Sequence, residues 1–342
     1  MKSDQFRVAI VGAGTLKGKE VAELLSERSF PAEVRLLDDD ESLGQLEAVG
    51  DEVTVVQSVA RDQFDRVDFA FFASDEKFTK RYWVLAKEAG SAIVDLSSAL
   101  EDSPGATVRS PWLERELNRQ LTPELQPAPV VAAHPAAQVL GLLAVRAGRL
   151  AKVRTIAATV IEPASERGRR GMDELHEQTV NLLSFRELPK KVFDEQVAFN
   201  LIARYGSAAP TSLETVEQTI TRHFKKITHG AAIVPSLMLL QGPSFHGHAF
   251  SIYIEFEGPL SAVDLVQALS GDHVNVAHST EDEPSNINAA GQEGILLAVR
   301  RDKERENGFW LWAAADNLRV AAATAVECAE TMMAARPKGK VQ

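Results

Sequence analysis

The stretch Val8-Ala-Ile-Val-Gly-Ala-Gly-Thr-Leu-Lys-Gly18 decides the fold of this chain. A short apolar run ends in a glycine-rich turn, and a helical pattern through Val21, Leu24 and Leu25 follows the turn. A strand, a tight turn and a helix in this order place the helix N-terminus where it can hold a phosphate group. The stretch therefore predicts the first β-α unit of a nucleotide-binding domain.

The residues after this turn continue the alternation of short apolar runs with helical patterns. The predicted strands are Ala32–Leu37, Val53–Val56, Val67–Ala73 and Ala92–Asp95, and a helix is predicted over Thr79–Ala89. Such alternation is typical of parallel β-α-β units. Residues 1–132 are thus predicted to form a doubly wound, Rossmann-like parallel sheet, which makes the fold class α/β.

The pattern changes beyond Leu150. Val153–Ile161 and Ser251–Phe256 alternate apolar and polar residues, and helices such as Met172–Leu183 lie between them. Alternation of this kind is typical of a partly antiparallel sheet that is covered on one face. Residues 133–315 are therefore predicted to form an α+β domain, and a C-terminal helix within residues 316–342 is predicted to complete the first domain.

Composition and charge narrow the class of function. Acidic residues outnumber basic residues by 48 to 37, which gives a net charge of −11. Nucleic acids and anionic membranes attract clustered positive charge, so we expect neither as a partner. No apolar run is long enough to span a bilayer, no signal peptide precedes the first strand, and a single cysteine supplies no disulfide framework. We expect a cytoplasmic protein.

Three stretches together resemble the aspartate-semialdehyde dehydrogenase family. They are the glycine-rich turn, Pro243-Ser-Phe-His-Gly-His248 and Ala315-Asp-Asn-Leu-Arg319. Within the family, the chain is most similar to the cysteine-less Usg group, and the resemblance runs along essentially the whole chain. It implies an NADP-dependent aldehyde dehydrogenase architecture in which the second domain carries the substrate site and the dimer interface. A homodimer is the implied assembly.

The nucleophilic cysteine of the family has no counterpart at the aligned position. In the family this cysteine opens a helix, and its thiolate attacks the aldehyde. The strand and helix around Val130-Val-Ala-Ala-His-Pro-Ala136 put Ala136 at that position. The only cysteine, Cys328, falls on an apolar helical stripe, where it is predicted to pack like a small hydrophobic residue. The resemblance therefore predicts a protein that is inactive in the family reaction.

Other functional positions of the family also differ here. The resemblance aligns Gln241 with the arginine that binds the substrate carboxylate and Glu101 with an arginine that binds phosphate. Thr219 aligns with a substrate-binding lysine, and Glu162 aligns with a glutamine. A carboxylate and a phosphate each need a fixed bidentate donor, so the loss of both arginines argues against the family substrate.

His248 is the one catalytic residue of the family that the alignment retains, as a general base. It also begins a strand face of alternating apolar residues that runs to Phe256. Two interpretations therefore remain open: His248 lines the ancestral pocket, or it is simply packed and hydrogen-bonded. With Glu162 it would form a vestigial catalytic pair. No histidine has a companion at metal-ligand spacing, so we expect no metal site.

The predicted cofactor-binding residues are Gly12, Gly14, Thr15, Gly18 and Asp38. Thr15 stands where the family usually has a glycine. Asp38 ends the second predicted strand, where an acidic residue binds the ribose 2′-hydroxyl of NAD. The alternative for Asp38 is a solvated acidic turn.

Charge near this turn favours NAD over NADP. Asp38 is followed by Asp39, Asp40 and Glu41, where NADP-dependent members carry serine and arginine for the 2′-phosphate. Like charges at close range repel. Asp75-Glu76 falls where the family has two glycines beside the cofactor phosphates, and it would oppose any pyrophosphate. NAD is therefore the expected cofactor and NADP is disfavoured, with no cofactor at all as the alternative.

Three functions are compatible with these patterns. The first is a dimeric, non-catalytic or NAD-sensing protein that presents itself to a protein partner. The second is an NAD(P)-dependent oxidoreductase acting on an aldehyde or oxo group, linked to aspartate-family amino-acid biosynthesis, with His248 and Glu162 as acid and base. The third is a subunit that pairs with an active paralogue.

Overall fold

A computed structural model describes residues 6–28, 32–39, 44–49, 52–120, 127–277, 279 and 282–335. The chain divides into two compact units, Met1–Ala133 with Ala321–Gln342 and, between them, His134–Val320. Two residues of the predicted acidic turn, Asp40 and Glu41, lie outside the described residues. The part of the predicted C-terminal helix beyond Ala335 also lies outside them.

The first unit contains a seven-stranded parallel sheet. The strands of this unit are β1 (Phe6–Val11), β2 (Ala32–Asp38), β3 (Leu46–Val49), β4 (Glu52–Val55), β5 (Gln57–Ser58), β6 (Phe69–Phe72), β7 (Ala92–Asp95), β8 (Thr107–Arg109) and β9 (Val130–Ala132). The sheet has the order β5-β2-β1-β6-β7-β9-β8, with every neighbouring pair parallel. The order reverses between β1 and β6, where doubly wound sheets bind their ligands. The predicted Rossmann-like sheet is confirmed.

The strand predicted at Val53–Val56 does not join the parallel sheet. It forms β4, which pairs antiparallel with β3 in a separate two-stranded sheet. Strands buried on both faces read as continuous apolar runs, as Phe69–Phe72 does, whereas β4 alternates polar and apolar residues and Val55 is 45% exposed. The edge of the parallel sheet is formed instead by the short strand β5, which pairs with β2.

Among the described residues of the first unit, three α-helices lie between the strands: α1 (Leu16–Glu27), α2 (Glu76–Glu88) and α3 (Pro111–Glu116). The helix predicted over Thr79–Ala89 begins three residues earlier than expected, because the side chain of Asp75 caps it. Residues of α1 such as Val21 and Leu24 belong to one apolar core with Val8, Ile10 and other residues of the parallel strands. This packing fixes the glycine-rich turn at the carboxyl end of β1.

The second unit contains a six-stranded mixed sheet. Its strands are β10 (Val153–Glu162), β11 (Ser236–Gln241), β12 (His248–Phe256), β13 (Val274–Val276), β14 (Ile295–Arg301) and β15 (Gly308–Ala315), and its helices are α4 (Pro135–Leu150), α5 (Gly168–Leu183), α6 (Leu213–Thr228), α7 (Ala262–Leu269) and α8 (Asn286–Ala289). The sheet order is β11-β10-β12-β15-β14-β13, with parallel pairs at the two edges and antiparallel pairs between. The predicted α+β domain is confirmed.

The predicted alternation in the second unit corresponds to one helix-covered face of the sheet. α4 packs against α6 and α7 and against β10, while α6 packs on β11 and α7 on β14. In β12, residues from Phe250 to Phe256 alternate between fully buried and half-buried positions. His248 lies at the start of this strand, three residues before the predicted start at Ser251.

The final helix, α9 (Asn317–Ala335), begins in the second unit and belongs to the first unit from Ala321 onward. The sequence predicts a single buried stripe, but every residue over 321–329 is buried. The polar face of this segment can be buried because its polar side chains bind partners within the protein. Glu327 accepts hydrogen bonds from Arg28, Arg115 and the Trp112 indole, so its charge is neutralised within the fold.

Candidate functional site

The glycine-rich turn is closed so tightly that side chains are excluded at two positions. Gly12 has a φ of +88°, and a Cβ there would lie 2.7 Å from the Cβ of Ser74. A Cβ on Gly18 would overlap the carbonyl oxygen of Gly12. Thr15 takes the N-cap position of α1, because its hydroxyl accepts a 3.0 Å hydrogen bond from the Gly18 amide. The turn thus has the shape that positions a helix N-terminus at the carboxyl edge of the sheet.

Asp38 is buried against this turn. Its side chain is only 5% exposed, and Oδ2 accepts a 2.6 Å hydrogen bond from the Gly14 amide while Oδ1 accepts one from the Asp39 amide. The interpretation of Asp38 as part of a solvated acidic turn is therefore wrong. Asp39 is exposed. A carboxylate with two oxygens retains lone pairs for further donors, so Asp38 can hold the turn and also accept a ribose hydroxyl.

The remaining donors of the turn are mostly engaged within the protein. The amides of Gly12 and Ala13 both donate to Leu37 O, and the amide of Thr15 donates to Gly12 O. The ammonium of Lys17, in the first turn of α1, lies 3.4 Å from the carbonyl oxygen of Leu96 after β7. The residues present fit a dinucleotide: a helix N-terminus and Lys17 suit its pyrophosphate, and Asp38 suits its ribose.

Asp75 and Glu76 have structural partners at the start of α2. Asp75 accepts a 2.9 Å hydrogen bond from the Phe78 amide, and Glu76 forms an exposed ion pair with Lys80 at 3.2 Å. Acidic side chains at a helix N-terminus stabilise the helix by satisfying its amides and its dipole. The sequence predicted repulsion of a pyrophosphate here. The capping role was missed, although an Asp immediately before a helical run is a capping signal.

In the second unit, Ala136 lies in the first turn of α4. Its methyl side chain is fully buried, and its amide donates a 3.2 Å hydrogen bond to Nδ1 of His134, the N-cap residue. The amide of His134 in turn donates a 2.9 Å hydrogen bond to Nδ1 of His223. Both Nδ1 atoms act as acceptors, so both imidazoles carry their proton on Nε2 in this arrangement. His134 and His223 thus shape the start of α4.

His248 is fully buried, in contact with an aromatic ring and beside a carboxylate. Its ring centroid lies 5.8 Å from those of His134 and Phe250. Its Nε2 lies 3.7 Å from Oε1 of Glu166, which also accepts a 2.9 Å hydrogen bond from the side chain of Asn317. The burial of His248 among these rings agrees with the interpretation of a packed histidine, and a place for it in a ligand pocket stays a prediction.

Asn317 connects three segments around His248. Its Oδ1 accepts hydrogen bonds from the Gly247 amide at 3.1 Å and from the Ser165 hydroxyl at 3.2 Å, while its Nδ2 donates to Glu166. Sequence analysis missed Glu166 as the carboxylate beside His248 and Asn317 as a partner of Glu166. The motif Ala315-Asp-Asn-Leu-Arg319 contained the signal for Asn317, since a polar pair before a strongly apolar helix requires partners when buried.

Glu162 is fully buried and forms an ion pair with Arg167. Burial by itself would lower the pKa of Arg167, but the Glu162 carboxylate raises that pKa above its ordinary value. Glu162 therefore acts as the counter-ion of a buried guanidinium. Sequence analysis missed Arg167, because a glutamate and an arginine five residues apart match no motif.

Gln241 and Tyr205 complete the surroundings of Glu162. The Gln241 amide nitrogen donates a 2.9 Å hydrogen bond to Glu162 O, and its Oε1 accepts a 2.7 Å hydrogen bond from the Tyr205 hydroxyl. Burial, followed by the charge of Glu162, raises the pKa of Tyr205. The phenol is therefore a neutral donor, and the position that the resemblance assigns to a cationic arginine holds a neutral amide.

Cys328, Thr219 and Glu101 are the remaining candidates from the sequence. Cys328 is fully buried, and burial raises the pKa of its thiol to about 12. Thr219 bonds to Thr215 O on its own helix, and Glu101 is 9% exposed. Among the residues that the structure describes, no group of three or more metal-ligating side chains comes together, and no helix is long and apolar enough to cross a membrane.

Comparison with known families assigns both units. Residues 7–125 match the family described as semialdehyde dehydrogenase, NAD binding domain. Residues 142–320 match semialdehyde dehydrogenase, dimerisation domain. The chain belongs to the aspartate-semialdehyde dehydrogenase family, as the sequence motifs predicted.

Individual relatives match along nearly the whole chain. A USG-1 protein homolog from Azotobacter vinelandii is 30% identical over 337 residues, which cover 97% of this chain and 98% of that protein. An aspartate-semialdehyde dehydrogenase from Rickettsia conorii is 28% identical over 340 residues, which cover 96% and 98%. The crystal structure of aspartate semialdehyde dehydrogenase II from Vibrio cholerae, complexed with ASA, superposes with a TM-score of 0.84 at 25% identity and covers 97% of this chain and 99% of that chain.

Proposed function

We propose that this protein is a diverged family member that does not carry out the family reaction and acts as a dimeric, non-catalytic or NAD-sensing protein. The observation that carries the proposal is the identity and setting of Ala136. It occupies the first turn of α4, with its methyl group fully buried, at the position where the alignment expects the nucleophile. A methyl group cannot add to an aldehyde, so neither a thiohemiacetal nor an acyl-enzyme forms there.

Cys328 is a poor replacement for the missing nucleophile. The thiolate is the nucleophilic form of cysteine, and a pKa of about 12 leaves this thiol protonated at neutral pH. The residue also belongs to the apolar core of the first unit. Gln241, which stands where the resemblance expects the substrate-binding arginine, offers a neutral amide in place of a charged, bidentate donor.

The proposed cofactor is NAD, with NADP disfavoured. Asp38 brings a buried negative charge to the end of β2, next to exposed Asp39, and a 2′-phosphate placed there would be repelled. The ribose of NAD would instead offer hydroxyl donors to the same carboxylate. NAD, when bound, supplies a hydride acceptor. In the proposed role the dinucleotide is a sensed ligand, held by Asp38 and by the first turn of α1.

The proposed assembly is a homodimer formed by the second unit. The match to a dimerisation domain supports it, and so do exposed apolar side chains on the sheet. Met238 on β11 is 55% exposed and Trp310 on β15 is 46% exposed. A sheet covered by helices on one face leaves a second face to be buried, and a two-fold axis buries it against itself.

One observation favours an oxidoreductase as the second candidate. The Glu166 carboxylate lies 3.7 Å from Nε2 of His248. A carboxylate beside an imidazole is an arrangement that general acid-base catalysis can use. Such a protein would transfer hydride directly between a dinucleotide and an aldehyde or oxo group. Glu162, which the sequence suggested as the partner of His248, forms an ion pair with Arg167. Glu166 therefore takes that role in this candidate.

Two measurements test the proposal. Intact-protein mass spectrometry after incubation with aspartate semialdehyde and either NAD or NADP, without phosphate, would trap an acyl-enzyme if a nucleophile were present. We expect the unmodified mass, and an acyl adduct on any residue would refute the non-catalytic proposal. Light scattering should give the mass of a dimer at micromolar concentration. A monomer would refute the assembly.

A further inference from the structure

Arg167 and Glu162 form a buried ion pair in which, among the described residues, Nε of the guanidinium is left without a hydrogen bond. Nη2 of Arg167 contacts Oε1 of Glu162. Nε of Arg167, which lies on the same edge of the guanidinium, is buried and makes no hydrogen bond within the described residues. A guanidinium presents Nε and one Nη as a parallel pair that matches the two oxygens of a carboxylate. The internal ion pair uses only half of that edge.

Glu162 is the carboxylate in direct contact with Arg167, and the charge of Glu166 also contributes to raising the pKa of Arg167. The backbone oxygen of Glu162 is bound by Gln241, and Gln241 Oε1 is bound by the Tyr205 hydroxyl. Glu166, the neighbouring carboxylate, is bound by Asn317 and faces His248. The side chain of Arg167 retains 15% exposure, through which a small solute can reach it.

We propose that Arg167 is a receptor for a small carboxylate-bearing ligand and that Glu162 occupies it as an internal competitor. A ligand carboxylate would form two parallel hydrogen bonds, to Nε and Nη2, in place of the single contact from Glu162. Binding exchanges one anion for another at Arg167, and no covalent bond is made or broken. The proposed site binds a ligand without reacting with it, so the proposal does not depend on whether the protein has catalytic activity.

The test uses Glu162→Gln, which removes the competing charge and keeps the size of the side chain. Acetate and succinate are the probes, with chloride at the same ionic strength as reference. The melting temperature of Glu162→Gln should rise with carboxylate concentration. Succinate should bind the variant at least about tenfold more tightly than it binds the wild-type protein, since the ligand no longer displaces an internal anion.

Two matched variants make the result specific. Glu166→Gln removes a carboxylate four residues away but leaves the Glu162–Arg167 pair intact, so it should bind succinate no better than the wild-type protein does. Glu162→Gln combined with Arg167→Gln removes the receptor, so carboxylates should have no effect beyond that of chloride. Equal stabilisation of this double variant, or no effect of carboxylates on Glu162→Gln, would overturn the proposal.

Loss of Glu162 leaves a buried cation without its partner, and the single variant can be too unstable to purify. In that case refolding is the measurement. Glu162→Gln diluted from denaturant should recover native fluorescence in acetate and not in chloride, while the double variant should recover equally in both. Failure of acetate to promote refolding of Glu162→Gln would count against Arg167 as a carboxylate receptor.

Discussion

The amide of Gly14 donates a 2.6 Å hydrogen bond to the carboxylate of Asp38, and this bond ties the glycine-rich turn to the end of β2. Asp38 is almost completely buried, so its charge is stabilised by backbone donors more than by water. The Asp38 carboxylate thus shapes the glycine-rich turn and places a negative charge beside it. We expect this arrangement to favour the binding of NAD over that of NADP.

We expect the wild-type protein to bind NAD more tightly than NADP by about 1–3 kcal/mol, roughly tenfold or more, because of repulsion between Asp38 and a 2′-phosphate. Asp38→Ser should reduce or abolish this preference. Asp39→Asn is the matched control, because Asp39 is exposed and its charge is screened. Isothermal titration calorimetry measures both affinities, and tighter binding of NADP by the wild-type protein would refute the charge argument.

The fold was largely predictable from sequence because its strands carry simple patterns. Ala92–Asp95 is a short apolar run between helical patterns, and its predicted bounds are those of β7. Val53–Val56 was wrongly assigned to the parallel sheet. A run of four residues that alternates polar and apolar side chains can equally form a separate two-stranded sheet. Pairing partners are set by tertiary packing, which a single strand pattern does not encode.

The candidate site was less predictable, since its contacts join residues that are distant in sequence. Glu166 approaches His248 across 82 positions of the chain, and Asn317 reaches Glu166 across 151 positions. Ala136 and His248 could be aligned with positions of the family from the sequence, because each lies in a recognisable local motif. The ion pair of Glu162 with Arg167 has no such pattern, and it becomes visible only once β10 and the start of α5 are folded.

The thiol of Cys328 should be inert in the native protein. Ellman's reagent at mildly alkaline pH should label it only as fast as the protein unfolds, because the side chain is fully buried. The matched measurement adds urea, which should release one equivalent of thiol. Rapid labelling of the native protein would contradict the assignment of Cys328 to the core.

Cys328 also makes stability depend on pH in the alkaline range. Burial raises the folded-state pKa of this thiol from 9.0 to about 12, so the folded protein holds a proton that the unfolded chain releases. The free energy of unfolding should therefore fall as the pH rises from about 9 towards 12. Cys328→Ala should show a shallower decline over the same range in urea titrations. An identical slope in both proteins would refute this linkage.

Glu327 should stabilise the C-terminal helix far more than its neighbour Glu330. Glu327 is 4% exposed and binds Arg28, Arg115 and Trp112, whereas the side chain of Glu330 is 35% exposed and forms an ion pair with Arg28 at 3.4 Å. Glu327→Gln should lower the free energy of unfolding by about 2 kcal/mol, because buried donors lose their charged partner. Glu330→Gln should cost about 0.5 kcal/mol or less. Urea denaturation of both variants checks the ranking.

A spectrophotometric assay of NADP and NAD reduction with aspartate semialdehyde and phosphate measures whether the protein retains the family reaction. We predict no rate above background for the wild-type protein. Ala136→Cys should also remain inactive, because Gln241 and Glu101 stand where the resemblance expects the two anion-binding arginines. A robust rate from the wild-type protein that survives Cys328→Ser would contradict the account.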